Sequence, residues 1–371
     1  MKTDNIQRIE FFNRETEKQE ILHILRTEPQ LINFIYGPIN SGKTSLITNL
    51  IENLPDNYVV FYINLRKRPI STYHDFLEVI FDVKYEGILT KVKRFLGIQG
   101  DTFNDVISDL GKTQGIPIPK GIFSRIFKEE RPENAFVYIL NLIKDAKSKG
   151  KTPVLIIDEL QTIGDLRVNE YLIYKVFNFF IHLTKESHLC HVFALSSDSL
   201  FIERVYNEAI LKDRCGYLLI DNFDEETTKK FLKKYNFSGK EQENVYNKIG
   251  GKPAHLLGII DAKNRGGDVI TKTEAMVESR KKDIKDTMRK LKRFGSEITY
   301  NEVPYKVDYN DVISTLKMFG KKDKIFDDDI DEVTKMYLVK NNILFAECVN
   351  ETIKPQSKLD LLAIREILKE N

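Results

Sequence analysis

Apolar runs of strand length punctuate the first 221 residues. Residues 31–36 (LINFIY), 58–65 (YVVFYINL), 152–158 (TPVLIID), 191–197 (HVFALSS) and 217–220 (YLLI) are apolar at nearly every position, not at alternate ones. That pattern suits strands buried on both faces of a parallel sheet. Mixed apolar and polar runs between them predict helices over 43–54, 74–82, 90–96, 132–149 and 169–185. Five strands alternating with helices predict an α/β fold, a doubly wound parallel sheet with right-handed crossovers, over residues 1–221. The stretch GIPIPKGI at 115–122 is rich in proline, which breaks helices and sheet ladders alike, so residues 98–130 read as an irregular insertion.

Beyond Asp221 the pattern becomes helical, with Phe231, Leu232, Tyr235 and Val245 at helical spacing, which predicts a small helical lid over 222–268. A third unit spans 269–371. Helices over 283–293, 309–319 and 329–341 precede short strands at 343–347 and 352–354, joined through Asn350-Glu351, and a last helix covers 357–369. Helices followed by a β-hairpin predict a winged-helix-like domain.

The first strand runs directly into Gly37-Pro38-Ile39-Asn40-Ser41-Gly42-Lys43-Thr44-Ser45. Two glycines let such a loop curl until successive backbone N–H groups face one set of phosphate oxygens. Lys43 adds a full positive charge, and Thr44 is placed to bring its hydroxyl to a Mg²⁺ bridging the phosphates. The helix that follows points its positive end at the same anion.

Asp158 and Glu159 end the third strand, and carboxylates at the C-terminal edge of a buried parallel strand face the ligand crevice. Asp158 is expected to hold Mg²⁺ through water, and Glu159 to orient or deprotonate an attacking water. The alternative is that the pair caps a helix beginning at Leu160, since acidic residues favour helix starts.

Composition narrows the class. With 57 Lys and Arg against 55 Asp and Glu, the net charge is +2, too small to imply a nucleic-acid partner by itself. Cys190, Cys215 and Cys348 are far apart and lack metal-ligand spacing, so reduced core thiols are expected. The first twelve residues contain no apolar leader and no later run approaches a membrane span, so a cytoplasmic protein without a membrane partner is expected.

Several motifs in order resemble the archaeal ATPase family, which belongs to the signal-transduction ATPases with numerous associated domains and is related to AAA-type ATPases. They are Phe11-Phe12-Asn13-Arg14-Glu15, Gly37 to Thr44, Ile156-Ile157-Asp158-Glu159-Leu160-Gln161, Ser196-Ser197-Asp198-Ser199-Leu200-Phe201, and Gly250-Gly251-Lys252-Pro253 followed by Leu256. The resemblance runs from Phe11 to the C-terminus. It implies a P-loop NTPase with ATP and Mg²⁺ as cofactors and sheet order 5-1-4-3-2. It also places Asn13 and Arg14 near the adenine, although Arg14 could instead pair with a surface carboxylate. It makes Ser196 or Ser197 the hydroxyl that senses the γ-phosphate. Arg214 or Arg204 would serve a neighbouring subunit's nucleotide, which implies a homo-oligomer. Pro253 matches a Gly-x-Pro turn in a lid that packs over the nucleotide.

DNA binding is weighed on the same residues. Arg280-Lys281-Lys282, Lys285, Arg289-Lys290 and Lys292-Arg293 form a basic helix beside an apolar stripe of Ile284, Met288 and Leu291. Against it, the helix that would enter the groove begins in Asp327-Asp328-Asp329, Asp331 and Glu332, which would meet phosphates with like charge. Packing on the ATPase core or on an unidentified protein partner is favoured. Two readings therefore stand: a Mg-dependent ATP-binding protein that hydrolyses ATP slowly as a regulatory switch, and a DNA-associated AAA-like ATPase of the mobile-element or replication-remodelling kind.

Overall fold

Buried parallel strands organise the molecule. A computed structural model describes residues 11–84, 111–129, 131–168, 170–300 and 303–370. The first unit runs α1 (Glu15–Leu25), β1 (Ile32–Tyr36), α2 (Lys43–Asn53), β2 (Tyr58–Asn64), α3 (Tyr73–Ile80), β3 (Phe81–Lys84), β4 (Lys112–Gln114), β5 (Ile116–Pro119), α4 (Lys120–Glu129), α5 (Pro132–Ser148) and β6 (Thr152–Asp158). It continues through the two-residue strands β7 (Arg167–Val168) and β8 (Glu170–Tyr171) to α6 (Leu172–Ile181), β9 (His191–Ser196), α7 (Ser199–Asn207) and β10 (Cys215–Leu219).

The central sheet has six strands in the order β10-β1-β9-β6-β2-β4, and every neighbouring pair is parallel. Alternate residues of β1 divide between its faces. Ile35 packs with Ile21 and Leu25 of α1 and Leu46, Ile47 and Leu50 of α2. Ile32, Phe34 and Tyr36 point into the opposite cluster, built with α3, α5, α6 and α7. Helices on both faces explain why these strands are apolar throughout.

The reading of residues 98–130 as irregular is corrected from residue 111 onward. That stretch holds β4, which pairs with β2 as a sixth strand at the sheet edge, then β5 and α4. Proline misled the reading because Pro117 and Pro119 lie in β5, which pairs with β3 in a two-stranded ribbon. A strand with a free edge tolerates the missing N–H. The expected helix over 90–96 and the expected insertion's first half, 98–110, lie outside the described residues.

Beyond β10 come α8 (Glu225–Lys234), α9 (Gly239–Lys248), α10 (Pro253–Asn264) and α11 (Val269–Phe294), then the hairpin β11 (Glu297–Tyr300) and β12 (Val303–Lys306), α12 (Tyr309–Met318), β13 (Ile325–Phe326), α13 (Glu332–Lys340), β14 (Leu344–Glu347), β15 (Thr352–Pro355) and α14 (Lys358–Glu370). The hairpin β11-β12 was not anticipated, and β13 joins β15 and β14 in a small antiparallel sheet. The 26-residue α11 extends well beyond the expected helix. Its Val269 and Val277 pack in the cluster of α8 to α10, whereas its Ile284, Met288 and Leu291 pack in the C-terminal cluster. One rigid helix therefore joins the two smaller units.

The C-terminal unit packs on the sheet domain. Tyr36 and Phe345 stack with ring centroids 6.4 Å apart, and the Ala346 N–H donates to Ser199 Oγ at 3.3 Å. Lys354 pairs with Asp221, and Lys335 reaches from α13 to Glu203 on α7 at 2.7 Å.

Candidate nucleotide-binding site

The loop between β1 and α2 is a cradle with an inward cation. Gly37 lies so close to the segment just beyond β10 that a Cβ there would meet Ile220 O at 2.1 Å, so only glycine fits. Gly42, at φ 98°, precedes the first turn of α2. Lys43 is buried, and its ammonium donates to the loop's own carbonyls, Gly37 O at 2.9 Å and Pro38 O at 3.0 Å. Burial pushes its pKa down to about 8, with Glu159 and Asp158 pulling the other way. An anion in the cradle would restore the full charge. Thr44 and Ser45 are exposed at the start of α2.

Asp158 sits at the mouth of the cradle. Its Oδ2 accepts from Thr44 Oγ1 at 2.8 Å and from the Tyr62 hydroxyl at 2.8 Å. A carboxylate and a hydroxyl side by side are hard oxygen donors that suit Mg²⁺, which takes few protein ligands and completes its shell with phosphate oxygens and water. Among the described residues no group of three or more His, Cys, Asp or Glu could hold a metal unaided. Burial first, then Asp158, holds the Tyr62 phenol well above its ordinary pKa, so it remains a donor.

Glu159 adopts φ 63°, in the left-handed region, and the following turn is a short 3₁₀ helix at Leu160–Ile163. Its side chain makes no cap hydrogen bond, so the helix-cap alternative does not describe how the carboxylate is used here. Oε2 meets Arg66 at 2.9 Å and accepts from Gln161 Nε2 at 2.5 Å, while Oε1 accepts from Ser197 at 3.3 Å. Ser196 donates to Gln161 Oε1 at 2.9 Å. The two strand-end serines, Gln161 and Glu159 thus form one network beside the cradle.

Arg14 is buried and engaged on both sides of its guanidinium. It is 7% exposed and donates to Ser41 O at 3.0 Å and Asp221 O at 2.5 Å, while its other nitrogen pairs with Glu17 at 2.7 Å. It braces the phosphate loop against the end of the sheet. Asn13 donates to Thr227 Oγ1 at 2.9 Å, tying the entry segment to α8. Pro253 opens α10 with its Cγ within 3.9 Å of where a Cβ on Gly42 would lie. Gly251, two residues earlier, lies against Phe223, where a Cβ would meet Phe223 O at 1.9 Å.

Arg214 and Arg204 stand apart from the cradle. Arg214 immediately precedes β10, at the opposite end of the parallel strands from the loop, and donates to Ile210 O at 2.9 Å. Arg204, on α7, pairs with Asp165 at 3.1 Å. Neither reaches this chain's own site.

Sequence reading missed Tyr62, Arg66 and Gln356. Tyr62 and Arg66 could have been found from strand order, because β2 lies beside β6 with Asn64 opposite Asp158. Gln356 had no such signal. Its Oε1 accepts from the Ile39 N–H of the phosphate loop at 3.3 Å, its Nε2 donates to Leu344 O at 2.9 Å, and its carbonyl accepts from Asn222 at 3.0 Å.

A mainly parallel sheet with this glycine-lysine cradle at its C-terminal edge and a carboxylate on the threonine defines a P-loop ATPase. The model of an ATPase domain predominantly from Archaea matches residues 11–259, and the chain belongs to that family. A second model, for the C-terminal domain of uncharacterized MJ1010-like ATP-binding proteins, matches residues 271–368. An uncharacterized ATP-binding protein of Methanocaldococcus jannaschii is 48% identical, covering 98% of this chain and 99% of its own length. One from Pyrococcus abyssi is 43% identical, covering 96% and 98% respectively. Among solved structures, a Walker-type ATPase of Pyrococcus abyssi matches with a TM-score of 0.61 at 16% identity, covering 96% of each chain, a likeness of fold. ATP binding is thus the shared property of the named relatives. Among the described residues no helix is long and apolar enough to cross a membrane.

Proposed function

We propose that the chain is a Mg-dependent ATP-binding protein that hydrolyses ATP slowly and works as a nucleotide-controlled switch, with 1–221 as ATPase core, 222–268 as lid and 269–371 as a winged-helix-like output domain. The observation that carries this reading is the hydrogen bond from the Ile39 N–H to Gln356. A backbone donor of the phosphate loop is engaged by the C-terminal unit, so an arriving phosphate competes with that unit for it. Differential affinity of this kind is what a ligand needs to shift a conformational equilibrium.

The chemistry follows from the side chains. Loop N–H groups and Lys43, released from its own carbonyls, bind the phosphates. Thr44 and Asp158 would hold Mg²⁺, which supplies charge neutralisation at the transferring phosphoryl group. Glu159 takes the proton of the attacking water as it leaves Arg66, with Ser196 and Ser197 holding the network that positions it. Glu159→Gln keeps the shape and removes the base. Phosphate release should slow by about 10²- to 10⁴-fold with Mg-ATP affinity retained, whereas Asp158→Asn should weaken Mg-dependent binding as well. Unchanged turnover in Glu159→Gln would remove Glu159 from the chemistry.

The DNA-associated reading finds less support. Arg280 pairs with Asp360, Lys281 sits among Glu278, Glu366 and Glu370, and Lys285 pairs with Glu370, so the first half of the basic helix is occupied within the unit.

A further inference from the structure

The carboxylate beside the cradle is held by a residue from the neighbouring strand. β2 runs beside β6 in parallel register, with Tyr62 opposite Ile156 and Asn64 opposite Asp158. Val60 and Tyr62 of β2 pack in the same cluster as Val154 and Ile156 of β6, on the face of the sheet that α2 covers. Alternation along β6 brings Asp158 to that face as well. Tyr62 starts two residues short of the level of Asp158, about 6–7 Å along the strand, a gap that a phenol ring spans. Its hydroxyl donates to Asp158 Oδ2 at 2.8 Å.

Two donors converge on that one oxygen. Thr44 Oγ1, from the first turn of α2, donates to Oδ2 at 2.8 Å, and Asp158 Oδ1 accepts no hydrogen bond among the described residues. The terminal torsion of an aspartate is broad and soft, so a single donor leaves the carboxylate free to swing. Donors from two elements, one on β2 and one on α2, fix its plane and leave Oδ1 unengaged. Tyr62 is only half-buried, so its contact with Asp158 is not forced by the need to satisfy a fully buried hydroxyl. Thr44 is itself a candidate metal ligand, whereas the Tyr62 hydroxyl serves the carboxylate alone.

We propose that Tyr62 is a positioning residue of the metal site: by pinning Oδ2 of Asp158 it keeps Oδ1 available to the Mg²⁺ of a bound nucleotide, and so sets how much the metal tightens nucleotide binding. The inference rests on the nucleotide-binding reading above and concerns a residue that acts through Asp158. Groups hydrogen-bonded to a ligand carboxylate are worth about 10- to 100-fold in metal affinity. Thr44 also holds Asp158, which puts the expected effect at the lower end.

The test is the affinity of the full chain for the non-hydrolysable β,γ-imido analogue of ATP, measured by calorimetry with excess Mg²⁺ and again with EDTA, for wild type and Tyr62→Phe. The ratio of the two affinities is the gain that the metal supplies. Tyr62→Phe keeps the ring and removes the hydroxyl. Affinity in EDTA should stay within about twofold of wild type, which also shows that the variant is folded, and the gain should fall about 10-fold. A wild-type gain in Tyr62→Phe, or equal loss of affinity in both conditions as a merely structural role would give, would overturn the assignment. Wild type that binds no nucleotide, or binds it without any gain from Mg²⁺, would instead overturn the nucleotide or metal reading beneath it.

Discussion

Replacing Lys335 with methionine should loosen the C-terminal unit from the ATPase core in a pH-dependent way. The Lys335 side chain is 3% exposed, with its ammonium 2.7 Å from Glu203, 2.7 Å from Glu332 and 3.1 Å from Asp327. Burial alone would lower its pKa, but these carboxylates outweigh burial and hold it well above the ordinary lysine value. Its stabilising contribution is present below the unfolded pKa of about 10.4 and is therefore flat across neutral pH in wild type. Lys335→Met leaves the carboxylates facing one another, with Glu203 already pushed up by burial. Removing one partner of a buried ion cluster costs about 3–5 kcal/mol, and the partial exposure of Asp327 and Glu332 brings the expected loss to about 2–3 kcal/mol. In a melting experiment at pH 8 that is a decrease of roughly 3–4 °C for cooperative unfolding of a 371-residue chain. Burial holds the orphaned Glu203 above its unfolded pKa, so its penalty is full above the folded value and fades as pH falls towards about 4.3. The deficit should therefore shrink at pH 5. A variant that melts within about 1 °C of wild type at pH 8, or with the same deficit at both pH values, would refute the reasoning.

Two further outcomes are expected. Lys43→Ala should abolish measurable ATP binding in a calorimetric titration while the fold persists, because no other side chain of the loop carries a positive charge to the phosphates. If Arg214 acts on a neighbouring subunit, specific activity should rise with protein concentration, and Arg214→Ala should lose about 10³-fold in turnover with ATP affinity retained. A concentration-independent rate insensitive to that change would exclude the trans role.

The cradle was legible because its requirements are local. Gly37, Lys43 and Thr44 are fixed by the curl of one loop, and Asp158 and Glu159 by the end of one strand, so spacing along the chain carries the information. What surrounds the cradle depends on which strands become neighbours. Arg66 meets Glu159 only because β2 lies beside β6, and Gln356 meets Ile39 only because the C-terminal unit folds back over the loop. Arg14 pairs with the partly exposed Glu17, as one of its two readings has it, and it also braces backbone carbonyls that sequence cannot place. The edge elements failed for another reason. The prolines of β5 looked incompatible with any strand, yet an edge position needs fewer N–H donors. The continuity of α11 across two clusters was likewise hidden, because its apolar positions serve a different partner in each half.

The central claim is that nucleotide at the phosphate loop competes with the C-terminal unit for the loop. Backbone amide exchange, followed by mass spectrometry on Glu159→Gln protein with and without Mg-ATP, measures both sides of that competition at once. The account predicts slower exchange over residues 38–45 on adding Mg-ATP and faster exchange over residues 343–357, where Gln356 gives up the Ile39 N–H. Slower exchange at the loop with no change over residues 343–357 would contradict it.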